Sequence, residues 1–190
     1  MLKLRYSTLL LLLMLTASSS AFAQTKPSVA EIDAYALKID RFTKANKKHR
    51  LFADVSSQDD EKEQWKEFKN DKQLEAATWY EASHVFTRTG KIVVARFTFT
   101  SPSGDWYHFI DYYFRDDGSL AKIHARLNTF YGNISVIRNR YFDSAGSLIK
   151  ETKSFHEVKT DRVAKEPAGF MDEPIPLYKT VSDLPFSKLL

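Results

Sequence analysis

Apolar residues recur at Val29, Ile32, Ala36, Ile39 and Phe42, with Tyr35 beside them, a spacing that gathers them on one face of a helix. Pro27-Ser28-Val29-Ala30-Glu31 precedes that pattern as a capping box, with Ser28 placed to accept from the helix backbone and Glu31 to reach back. The helix is expected over roughly Val29 to Ala45, closed by a basic cluster from Lys44 to Arg50 whose charge suits a helix C-terminus. From Ser56 to Ala77 the chain becomes strongly charged. Asp59-Asp60-Glu61 leads into Trp65 and Phe68, and two aromatics three apart behind acids predict a short second helix. The acidic trio lacks the ligand spacing and turn glycine of a calcium loop.

Beyond residue 77 the pattern changes to strands. Segments rich in Tyr, Phe, Val, Ile and Thr run Thr78 to Arg88, Lys91 to Thr100, Trp106 to Arg115, Ser119 to Phe130, Ile134 to Asp143 and Ser147 to Val158. Short glycine loops separate them, predicting a six-stranded antiparallel meander. Three of the turns are copies of one another. Phe86, Phe114 and Phe142 stand 28 residues apart, as do Gly90, Gly118 and Gly146, so the region reads as three 28-residue hairpin repeats. The motif Tyr-Phe-x-x-x-Gly-Ser-Leu at Tyr113 and Tyr141 resembles the turns of bacterial YD and MORN repeats. That resemblance covers the turns alone and implies hairpins, with no function attached.

Three-residue loops ending in glycine set a register in which Arg115 faces Ser119 and Phe109 faces Ala125. Every odd-numbered strand residue then falls on one face, with Phe97, Phe99, Phe109, Ile123 and Leu127 forming a core that the helix would cover. Glu81 and Asp111 are the polar exceptions there. The even face is apolar near the repeated turns and basic further along, where His108, His124, Arg126, Arg138 and Arg140 converge with Tyr80 nearby. The tail from Asp161 holds Pro167, Pro174, Pro176 and Pro185 together with Phe170, Ile175, Leu177, Leu184 and Phe186. Such a segment suits an extended strap over the apolar end of the even face. The expected fold is therefore α+β, one helix on an antiparallel meander with a Pro-rich C-terminal strap.

Composition bears mainly on location. Lys3 and Arg5, an apolar run from Leu9 to Leu15 and the small-residue end Ala21-Phe22-Ala23 form a secretory signal peptide over residues 1–23, cleaved after Ala23. A single domain is expected over 24–160 and an extended segment over 161–190. The run is too short to act as a transmembrane anchor, and the absence of cysteine excludes disulfides, thiolate metal sites and an acylated N-terminus. Removing the leader takes Lys3 and Arg5 from a formal charge of +4, so overall basicity gives little reason to expect nucleic acid. A periplasmic or secreted bacterial protein is expected.

No nucleophile elbow, Walker loop, dinucleotide fingerprint or zinc-protease helix occurs in the chain. Candidate chemistry narrows to the even-face group, where forked guanidinium donors on a rigid sheet suit a phosphate, a carboxylate or a sulfated sugar. Adjacent arginines also call for a counter-anion, either a ligand or acids from elsewhere in the chain. The expected function is non-catalytic binding of an anionic small molecule or an envelope protein, with no cofactor. The alternatives are a carrier holding a lipid between helix and sheet, and a hydrolase with His108 or His124 as general base.

Overall fold

A computed structural model describes residues 27–57 and 60–190; the leader over residues 1–23 lies outside the described residues, as does Asp59 of the acidic trio. Helix α1 (Val29–Ala45) is followed by strands β1 (Arg50–Asp54) and β2 (Trp65–Phe68) and a short helix α2 (Asp71–Glu75). The remaining strands are β3 (Glu81–Arg88), β4 (Lys91–Thr100), β5 (Trp106–Phe114), β6 (Leu120–Thr129), β7 (Ile134–Phe142), β8 (Leu148–Glu157) and β9 (Val163–Ala164). They form one antiparallel sheet in the order β2-β1-β3-β4-β5-β6-β7-β8-β9, so the α+β class holds with nine strands among the described residues rather than six. No helix among those residues is long and apolar enough to cross a membrane.

The capping box forms as the residues require. Ser28 Oγ accepts from Glu31 N–H at 3.2 Å and Glu31 Oε2 accepts from Ser28 N–H at 2.7 Å. The charged segment departs from expectation. Leu51, Phe52 and Ala53 are all buried because the sheet is covered on both sides there, which erases the alternation that marks a strand. Trp65 and Phe68 sit on β2, not on a helix. Three positions apart on a strand means opposite faces, and Trp65 packs near Phe97 and Phe186 while Phe68 joins Leu51, Ala53 and Leu74.

The turns explain the largest correction. Arg115 N–H donates to Ser119 O at 2.8 Å, as the three-residue loop demands, and Leu120 pairs with Phe114, but Ala121 is a bulge. Val93 and Ile149 bulge at the equivalent places in their hairpins. At the other end of the sheet Ser101 N–H donates to Trp106 O at 3.4 Å and Thr129 pairs with Ile134, leaving four-residue loops where three were expected. Each change slips the register by one, and a slip of one turns every following side chain over. Phe109 consequently faces Arg126, and the two faces combine odd residues of β3, β4, β6 and β8 with even residues of β5 and β7, or the reverse.

One face lies under the C-terminal strap. Ile175, Leu184 and Phe186 pack there with Phe52, Phe97, Ile110, Tyr112, Phe114, Leu120 and Phe142 in the main core. Phe186 stacks on Phe52 with ring centroids 4.3 Å apart, and Tyr112 donates its hydroxyl proton to Pro176 O at 2.8 Å. The strap also extends the sheet locally, with Leu120 N–H donating to Lys179 O at 2.8 Å. On the opposite face α1 lays Ile32, Ala36 and Ile39 on Phe86, Val94, Tyr113, Ala121 and Tyr141, all near the repeated turns. Leu74 of α2 covers the β1 edge of that face. The rest of the helix side is open.

Candidate functional site

The register divides the residues that the sequence pattern groups together. His108, Arg138 and Arg140 fall on the strap side, whereas His124 and Arg126 fall on the helix side. Among the described residues Tyr80 makes no side-chain hydrogen bond or ring contact with any of the five; it precedes β3 and its carbonyl accepts from Thr100 N–H at 2.9 Å. Glu81 and Asp111 are likewise separated, Glu81 on the strap side opposite Phe99 and Asp111 on the helix side opposite His124.

The strap-side group is closed. Arg138 is paired with Asp172 of the strap, and Lys153 Nζ lies 3.1 Å from the same carboxylate. Arg140 Nε sits 3.2 Å from Glu151, out of line for a hydrogen bond. His108 is 3% exposed, and burial pushes its pKa down to about 4, aided by the Arg138 charge and opposed by Asp172. The counter-anion that adjacent arginines require is thus an acid of the chain's own tail. Glu81 at the β3 end of this side is pushed up to about 7 by burial and by the neighbouring charges of Glu63 and Asp54.

The helix side presents a different surface. Beyond α1 the strands expose Tyr107 (45%) and Phe109 (40%), their rings near-parallel at 6.4 Å. Arg126 lies directly opposite Phe109, and its guanidinium pairs with Asp161, 62% exposed, at 3.1 Å. His124 Nδ1 stands 2.9 Å from Asn139 Oδ1, and Asn139 Nδ2 donates onward to Thr152 Oγ1 at 3.4 Å. Since an amide oxygen only accepts, Nδ1 donates in this contact.

Between this surface and α1 is a polar seam. Arg96 donates to Asp40 Oδ1 at 2.8 Å and to Thr43 Oγ1 at 3.0 Å, and its Nε lies 3.4 Å from Asp111. The Tyr113 hydroxyl donates to Asp40 at 3.0 Å, with Asp111 Oδ2 3.3 Å away. Burial raises the Asp111 pKa against the pull of Arg96 and His124. A cavity of about 250 Å³ opens here, lined by His84, Phe86, Arg96, Phe97, Thr98, Phe109 and Asp111.

The sequence pattern singled out two residues of this surface, His124 and Arg126, and assigned Phe109 to the core. Arg96, Asn139 and the exposed aromatics escaped notice because one-residue slips decide which side of the sheet they occupy. No protein-family model matches the chain, and neither a curated protein nor a solved structure matches it.

Proposed function

We propose that the protein is an exported, non-catalytic binding protein, periplasmic or secreted, that takes an anionic ligand on the open part of the helix-side face. The observation that carries this is the company around Phe109: a half-exposed aromatic pair beside Arg126 and His124, on the part of the sheet that neither α1 nor the strap covers. Aromatic faces take the apolar body of a ligand such as a sugar ring, and a guanidinium with a water-exposed partner exchanges that partner for a phosphate, carboxylate or sulfate at little cost. The basic, cleavable leader supports export. We also read β3 to β8 as three 28-residue hairpin repeats, since the bulges at Val93, Ala121 and Ile149 keep that spacing.

A lipid carrier finds less support, because Ala36, Ile39, Phe86, Val93, Val94 and Tyr113 fill the layer between α1 and the sheet. A hydrolase has one point in its favour, Asp111 facing His124 across two strands, although Arg96 and Tyr113 already engage that carboxylate. Thermal unfolding of the chain with a panel of phosphates, carboxylates and sulfated sugars tests the binding proposal. At least one member should raise the Tm of the wild type by about 2–4 °C and leave Phe109→Ala unmoved. A panel without effect, or an equal response from Phe109→Ala, overturns it.

A further inference from the structure

We propose that His49, Asp71 and His84 form a site for one transition-metal dication, best matched to Zn²⁺, at the rim of the open groove. The three come from separate elements: the segment after α1, the first residue of α2, and β3. Folding brings one ligand atom of each within 4.8 Å of the others.

The local geometry favours a shared cation. His49 Nδ1 lies 2.7 Å from Lys47 O, and a carbonyl only accepts, so the proton sits on Nδ1. Nε2 then turns its lone pair toward Asp71 Oδ1, 3.7 Å away. That approach is favourable only with a cation between the two atoms, either a proton or a metal ion. An imidazole anchored through its other nitrogen to a backbone carbonyl is also the arrangement that orients metal-binding histidines.

The second imidazole is already in place. The His49 and His84 rings stack with centroids 5.0 Å apart and planes inclined by 16°. Two imidazoles on one tetrahedral Zn²⁺, each bonded at about 2.0–2.1 Å, bring their ring centres to about 5 Å, the separation seen here, and binding would turn the stacked rings until both planes contain the metal. Phe86 backs the His49 ring at 5.2 Å, and Asn70 caps α2 by accepting from Gln73 N–H at 3.0 Å, which fixes the backbone at Asp71. Arg96, the cross-strand neighbour of His84, is neutralised by Asp40 and Asp111.

Two imidazoles and one carboxylate suit Zn²⁺ and its transition-metal neighbours far better than Mg²⁺ or Ca²⁺, which select oxygen. Three protein ligands leave one coordination position open, and His84 lines the 250 Å³ cavity into which it would point. A metal there would add positive charge beside the surface that carries Phe109 and Arg126.

The test is calorimetric titration of the tag-free chain, freed of metal by chelation, with ZnCl₂. One equivalent should bind with a Kd of about 10 µM or tighter. His84→Gln should weaken uptake by about 100-fold and Asp71→Asn by about 10-fold, while MgCl₂ and CaCl₂ give no signal. CoCl₂ should produce the strong visible absorption of four-coordinate Co²⁺ in the wild type and lose it in His84→Gln. Absence of Zn²⁺ uptake by the wild type overturns the proposal, as does full uptake by His84→Gln with unchanged circular dichroism. If His84→Gln does not fold, Asp71→Asn decides, since its side chain is 62% exposed: undiminished uptake overturns the site, and weakened uptake supports it.

Discussion

Arg138 and Arg126 stand on neighbouring strands of one sheet, and their surroundings differ in almost every respect. Arg138 is under the strap, paired with Asp172 at 19% and 20% side-chain exposure, with Lys153 sharing the carboxylate. Arg126 faces water, paired with an acid that is 62% exposed and flanked by a half-exposed Phe109. The same residue type thus locks a tail on one face and remains available for a ligand on the other. What decides between the two roles is whether the partner that the fold supplies is buried with the arginine or left in water.

The contrast yields predictions in descending order of effect on stability. Arg138→Ala removes the cation that neutralises a largely buried carboxylate. It should cost about 2 kcal/mol in urea unfolding, less than a fully buried pair because Lys153 remains. A loss under about 0.5 kcal/mol would show that the strap is held by its apolar residues alone.

The strap side should also contribute to the pH dependence, because burial has moved two of its groups. The folded-state pKa of His108 is depressed to about 4, so its contribution is present above the unfolded value and lost as pH falls from about 6.5 through 4. That of Glu81 is raised to about 7, so its contribution is present at low pH and lost as pH rises from about 4.5 through 7. After discounting for solvent screening, each amounts to about 1 kcal/mol. In unfolding measured from pH 4 to 8, His108→Gln should flatten the acid limb and Glu81→Gln the upper one. If both variants keep the wild-type profile, these groups are not where the strap side stores its pH sensitivity.

The parts of this molecule that were legible in the sequence are those fixed locally. The Ser28–Glu31 box and the apolar stripe of α1 are set by helix geometry, the glycine turns by positive φ, and the strap by prolines that forbid regular structure. Register was not legible. Ala121 and Ile149 read as ordinary strand residues, yet as bulges they exchange the faces of everything beyond them. The longer loops before β5 and β7 invert those two strands and the bulges at Ala121 and Ile149 turn the following strands back, which is why Phe109, assigned to the core, is exposed, and why five residues expected on one surface divide three and two. β1 and β2 were hidden for a related reason: burial on both sides erased the alternation in one, and a three-residue aromatic spacing imitated a helix in the other. The His49, Asp71 and His84 cluster joins segments that only tertiary folding brings together.

The most direct check of the division between the faces is Arg126→Ala, carried through thermal unfolding with and without the anion that stabilises the wild type. Its stability alone should stay within about 0.5 kcal/mol of wild type, as expected for a solvated residue, while the anion-induced rise in Tm disappears. A loss of stability as large as that of Arg138→Ala, or an anion shift that survives intact, would contradict the assignment of Arg126 to a ligand surface.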